Sequence, residues 1–168
     1  QSNIFAFNGN MGAGKTTLGK AFAREMNVPF IDLDWYIEER FHKSIRELFT
    51  ERGEASFREL ERNMLHEVGE FEDVVVSTGG GTPCFFDNMD FIKQNGISVF
   101  LDISVEELVQ RLQQHGVEDR PLLAQMTQLE QELQAKLDWR RAFYEQADVI
   151  VHGSTNAAAV HEALQTFL

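Results

Sequence analysis

Short apolar runs and stretches of helical period alternate along this chain. Ile4-Phe5-Ala6-Phe7 reads as a buried strand, and after a glycine-rich turn Leu18, Ala21, Phe22 and Met26 recur at helical spacing until Asn27 and Pro29 end the helix. Residues 28–34 predict a second strand and 35–41 a short helix. Ser44 and Glu47 form a capping box over Ile45, Leu48 and Phe49, and a longer helix over about 54–68 places Phe57, Leu60, Met64 and Val68 on one stripe. Residues 73–77 are a continuous apolar run, the pattern of a strand buried on both faces. A helix over 85–94 and a strand over 97–102 follow, and then Ser104 and Glu107 cap a helix with Val105, Leu108 and Leu112 inward. The polar stretch 113–119 breaks the pattern. Thr127 and Glu130 predict the cap of a long helix to about 147, residues 148–151 a fifth strand, and Thr155 the start of a closing helix with Val160, Leu164 and Phe167 inward. Gln1-Ser2-Asn3 are set aside from the fold.

Strands alternating with helices argue for an α/β fold, a parallel sheet covered on both faces. Right-handed crossovers then bring every strand's carboxyl end to one edge, where ligands of open α/β sheets bind. The 168 residues suit one domain spanning 1–168, with 43% apolar residues to fill its core. A net charge of −12 argues against a nucleic-acid partner, which needs a basic face. Cys84 is the only cysteine, which leaves no disulfide framework and fits a reduced cytoplasmic setting. No apolar run approaches the ~18 residues of a membrane span.

The predicted edge collects the chemistry. Gly9-Asn10-Met11-Gly12-Ala13-Gly14-Lys15-Thr16 fits G-x-x-x-x-G-K-[ST] between a strand and a helix, the setting in which backbone N–H groups cradle phosphates. Gly12, Ala13, Gly14, Lys15, Thr16 and Thr17 are therefore expected on a nucleoside triphosphate, with the Thr16 hydroxyl on Mg²⁺. Asp32 and Asp34 lie two apart, so an extended backbone would aim both the same way. A polar strand end and a helix cap would explain them equally well in isolation. Beside a phosphate loop, Asp32 is assigned to the metal and Asp34 to the proton of an acceptor hydroxyl.

Gly79, Gly80 and Gly81 could be a flexible turn, but at a strand's carboxyl end they let a ligand approach bare backbone. Leu129, Leu133, Leu137, Arg140 and Tyr144 step by four, four, three and four, which puts an arginine on the inward stripe. Either a buried ion pair or a bound anion would account for Arg140. Arg58 could simply pair with Glu61 three residues on. Two arginines from different helices would also suit a planar carboxylate. Arg120, in the polar break, is an ordinary exposed charge or a residue of a closing lid that excludes water. Histidines 42, 66, 115, 152 and 161 lack metal-ligand spacing, and Cys84 reads as a small apolar filler.

Together these features resemble the shikimate kinases, from first strand to last. The phosphate loop, Asp32-Leu33-Asp34, Phe57-Arg58-Glu59-Leu60-Glu61, Ser77-Thr78-Gly79-Gly80-Gly81, Arg120-Pro121-Leu122-Leu123 and Arg140 with Tyr144 are similar to that family's motifs, in their order. The resemblance implies a P-loop, nucleoside-monophosphate-kinase-like three-layer fold with a five-stranded parallel sheet, substrate-binding helices over about 34–69 and a mobile lid over about 113–124. It implies transfer of the ATP γ-phosphate to the 3-hydroxyl of shikimate with Mg²⁺, by a monomer. Asp34, Arg58, Gly79, Gly80, Gly81 and Arg140 would surround shikimate, Lys15 and Arg120 would contact phosphates, and Thr16 and Asp32 would organise the metal. The chain departs from the family at Gln113, where many members carry an arginine on adenine; Arg111 is assigned that contact instead. A kinase of another small hydroxy acid, such as gluconate, and a nucleotide-dependent switch remain as alternatives.

Overall fold

The computed structural model describes residues 3–8, 15–114, 123–153 and 156–168. Its strands are β1 (Ile4–Asn8), β2 (Phe30–Asp32), β3 (Val75–Ser77), β4 (Ile97–Asp102) and β5 (Val149–His152), all parallel, in the order β2-β3-β1-β4-β5. The helices are α1 (Lys15–Met26), α2 (Leu33–Phe41), α3 (Ile45–Gly69), α4 (Asn88–Asn95), α5 (Val105–Gln114), α6 (Leu123–Tyr144) and α7 (Ala157–Leu164).

Strand alternation divides the core into two faces. Ile4, Ala6, Val75, Val99 and Leu101 point to the face covered by Phe22 and Ala23 of α1 and Val160 and Leu164 of α7. Phe5 and Val76 point the other way, onto Leu33 and Ile37 of α2, Phe57, Leu65 and Val68 of α3 and Ile92 of α4. Further along that second face, Phe100 meets Val105 and Val109 of α5 and Leu137 and Tyr144 of α6. Helices thus cover both sides, as the strand–helix alternation predicts.

The capping box is present: the Glu47 N–H donates to the Ser44 hydroxyl at 3.0 Å, and the Ser44 N–H donates to the Glu47 carboxylate at 3.3 Å. Gly53 (φ 77°, ψ 165°) breaks α3 where the apolar stripe changes phase, between the capped segment and the segment carrying Arg58. Ser104 caps α5 through the Glu107 N–H at 3.2 Å.

Several expectations are corrected. Strand β2 stops at Asp32, whose Oδ1 accepts the Trp35 N–H at 3.2 Å, and this cap turns the chain into α2. Asp34 therefore sits in the first helical turn, where negative charge is favoured, and not on a strand. Thr127 lies inside α6, which already runs from Leu123, so continuity of the helix overrides a weak local cap signal. Asn156 caps α7, its Oδ1 accepting the Ala159 N–H at 2.9 Å; Thr155 lies outside the described residues. Ala23 is buried where Ala21 was expected, and Phe167, past the end of α7, is 47% exposed. Asn3 belongs to the fold: fully buried, it donates to the Phe71 carbonyl at 2.6 Å and accepts from the Val74 N–H at 3.2 Å.

Candidate functional site

The parallel order places the carboxyl ends of all five strands on one edge. There β1 ends at Asn8 and α1 opens at Lys15, so the phosphate-loop motif spans a strand-to-helix junction. Gly12, Ala13 and Gly14 lie outside the described residues, as do Arg120, Pro121 and Leu122; Lys15, Thr16 and Thr17 form the first turn of α1, and Arg111 and Gln113 lie in α5.

The triple glycine follows β3 on the same edge and is the centre of the described site. A Cβ on Gly79 would stand 3.3 Å and 3.6 Å from the two carboxylate oxygens of Asp34. A Cβ on Gly81 would stand 2.7 Å from both Nη atoms of Arg58 and would push the guanidinium aside. Between them the Gly80 carbonyl accepts the hydroxyl of Tyr144, one helical turn beyond Arg140, at 2.5 Å. The glycines are thus the floor against which Asp34 from α2, Arg58 from α3 and the end of α6 close. A side chain at Gly79 would crowd Asp34, and one at Gly81 would crowd Arg58.

Arg58 is held by a relay. Its Nη1 donates to Glu61 Oε1 at 2.9 Å, and Glu61 Oε2 accepts the Thr82 hydroxyl at 2.9 Å. The Thr82 carbonyl in turn accepts the Asn88 amide at 2.9 Å, which ties the end of the glycine turn to α4. The pairing of Arg58 with Glu61 is as the i, i+3 spacing predicts, but it does not use up the guanidinium. The Nε atoms of Arg58 and of Arg140 are buried and have no hydrogen-bond partner among the described residues. Arg58 Nε has an ion pair with the exposed Glu54 carboxylate at 3.9 Å but makes no hydrogen bond, so both guanidinium groups keep a buried donor that a bound anion would complete.

Leu137 and Tyr144 are buried and Leu129, Leu133 and Arg140 half-buried, so the inward stripe of α6 is as predicted. Burial pushes the Cys84 thiol up to about 11, against the pull of both Arg140 and Arg58, and this shared influence places the two guanidinium groups around the same residue. Burial also raises the Tyr144 phenol well above its ordinary range, again opposed by Arg140. Both groups hold their proton more tightly folded than unfolded, so the stability from Cys84 is complete below the ordinary thiol value of 9.0 and is lost as pH rises towards 11, while that from Tyr144 begins to be lost only above the ordinary phenol value of 10.0. The melting temperature should therefore fall between about pH 9 and 11, and Cys84→Ala should flatten part of that slope, as melts across that range would show.

Asp32 is placed at the end of β2, with one carboxylate oxygen engaged as the cap of α2. Glu61 is the partner of Arg58 that the i, i+3 spacing predicts, whereas Thr82 and Phe85 carry no local signal of their place in the site. A 20 Å³ cavity between the sheet and helices α1 and α7 is lined by apolar side chains such as Phe22, Val99 and Val160; it is about the size of one water and offers no polar partner for one.

A parallel sheet with a strand–loop–helix phosphate motif and a separate anion-binding turn on the same edge defines a P-loop small-molecule kinase. A family model described as shikimate kinase matches residues 11–168. A shikimate kinase of Bacteroides fragilis is 61% identical over 144 residues, 84% of this chain and 80% of that protein. The crystal structure of the Bacteroides thetaiotaomicron shikimate kinase superposes with a TM-score of 0.87 at 51% identity, covering 98% of each chain. That of the Acinetobacter baumannii enzyme in complex with shikimate gives 0.83 at 34% identity, covering 99% of this chain and 92% of that one. The chain belongs to the shikimate kinase family.

Proposed function

We propose that this chain transfers the γ-phosphate of ATP to the 3-hydroxyl of shikimate, giving shikimate 3-phosphate and ADP, a step towards chorismate and the aromatic amino acids. The observation that supports the acceptor half is the pair of buried guanidinium Nε donors of Arg58 and Arg140 that make no hydrogen bond, the Arg58 group standing beside Gly81 with Glu54 3.9 Å from its Nε. Shikimate is a carboxylic acid whose planar carboxylate can satisfy both through paired hydrogen bonds. Gly79, Gly80 and Gly81 let its ring lie against backbone, and Asp34 stands beside that floor to take the proton of the attacking hydroxyl.

On the donor side, the backbone of Gly12, Ala13 and Gly14 with Lys15, Thr16 and Thr17 holds the phosphates, and Arg111 is assigned to adenine. Arg120, on the lid of about 113–124, and Lys15 stabilise charge on the transferring group while the lid excludes water. Mg²⁺ usually takes one or two carboxylates and the substrate's phosphates rather than an all-protein cage. The donor set fits that habit, since no cluster of three or more His, Cys, Asp or Glu is found among the described residues, and Asp32 with Thr16 would hold the ion. When bound, the ion neutralises phosphate charge. The remaining work is positioning and preorganised electrostatics by the chain's own residues. One chain supplies every group named, so a monomer suffices, and the buried free thiol of Cys84 suits a reducing cytoplasm. Among the described residues no helix is long and apolar enough to cross a membrane.

The test is ADP release with shikimate, gluconate, nucleoside monophosphates or no acceptor, with phosphorus NMR of the product to place the new ester. Shikimate alone should stimulate turnover and yield the 3-phosphate. No stimulation by shikimate, or equal stimulation by gluconate, would overturn the reading.

A further inference from the structure

Phe85 follows the 3-10 turn Thr82–Cys84 in an extended conformation that returns its ring to the glycine turn. The Arg58 guanidinium carbon lies 4.2 Å from the centre of that ring, much closer than to Phe49 at 5.4 Å or Phe57 at 5.6 Å. All three are within the ~6 Å range of cation–π attraction, but only Phe85 is at contact distance. On its other side Phe85 packs against Trp139, with ring centres 6.0 Å apart, and Trp139 immediately precedes Arg140. Phe85 therefore touches the helix of one acceptor arginine and the guanidinium of the other.

The chemistry of this contact differs from that of Glu61. Glu61 takes an in-plane N–H of Arg58, and each such donor it uses is lost to a ligand. A second carboxylate in place of Phe85 would take more donors and repel an incoming anion. An aromatic face attracts the cation from above its plane, fixes the plane's orientation and uses none of the in-plane donors, leaving the Nε edge, which makes no hydrogen bond and has only the exposed Glu54 carboxylate at 3.9 Å, to meet a ligand. An aliphatic side chain would fill the space without that attraction.

We propose that Phe85 is a positioning residue for acceptor binding: its ring sets the plane of the Arg58 guanidinium so that the Nε edge, which makes no hydrogen bond, meets the substrate carboxylate. This rests on Arg58 holding that carboxylate, the reading proposed above.

The test replaces Phe85 with phenylalanines carrying one, two and three ring fluorines, which progressively weaken the negative face while nearly preserving shape. Phe85→Leu and Phe85→Tyr are measured alongside. The KM for shikimate should climb stepwise with fluorination and rise about fivefold in Phe85→Leu, while Phe85→Tyr stays close to wild type and the KM for ATP stays constant. A flat fluorination series, a parallel rise in both KM values, or a Tyr variant no better than Leu would overturn the proposal. The fluorinated series remains decisive should Phe85→Leu fold poorly. Absence of shikimate-dependent turnover in the wild type would instead indict the substrate assignment, so the two failures are distinguishable.

Discussion

Asp34→Asn should lower kcat by about 10²- to 10⁴-fold while leaving the KM for ATP within about twofold of wild type. Asparagine keeps the shape of the side chain and an oxygen able to accept a hydrogen bond, so the packing of Asp34 over Gly79, with an oxygen 3.3 Å from where a Cβ would lie, survives. The amide cannot take a proton from an attacking hydroxyl, and the substitution also removes the carboxylate's negative charge. Its place in the first turn of α2 gives a second consequence, because the partial positive charge of a helix N-terminus stabilises a carboxylate but not an amide. Steady-state kinetics in both substrates decide the matter. A kcat within twofold of wild type would remove Asp34 from the proton-transfer step, and a loss confined to the KM for shikimate would make it a binding residue only.

Glu61→Ala should destabilise the fold by about 3–5 kcal/mol, the cost of stripping a buried charge of its partner. Glu61 is 2% exposed and Arg58 is 9% exposed, so water cannot readily replace the lost carboxylate. The same substitution orphans the Thr82 hydroxyl, whose acceptor is the other oxygen of Glu61. Glu61→Gln keeps an oxygen for one of these two donors and should cost less. Urea unfolding gives the free energies directly. A loss below about 1 kcal/mol for Glu61→Ala would mean that the pair behaves like an exposed one.

The sequence carried the fold wherever information was local. Continuous apolar runs marked strands, the Ser44–Glu47 box marked a helix start, and the two apolar stripes over 45–49 and 54–68 marked the segments that the structure joins in one helix kinked at Gly53. An arginine on the inward stripe of α6 announced Arg140, because a charge at that register needs a partner. What stayed hidden depends on residues distant in the chain. Asp34 was read on a strand because two-residue spacing is the strand's own period, and nothing local says that Asp32 ends the strand by capping a helix. The hydroxyl of Tyr144 on the Gly80 carbonyl spans 64 positions, and between Arg58 and Phe85 lie the rest of α3, β3 and the glycine turn. A polar group's second partner, such as Thr82 for Glu61, leaves no periodicity to read.

The strand order also bears on how a ribosome delivers this molecule. β1 occupies the middle of the sheet yet is synthesised well before either of its neighbours, β3 and β4. At roughly 5–20 residues per second the most apolar strand waits several seconds for a pairing edge. The turn of glycines then gains its hydrogen bond from Tyr144 only when α6 is complete. A nascent chain stalled before that helix lacks both Arg140 and Tyr144, so the glycine turn is without the partner that α6 brings to it.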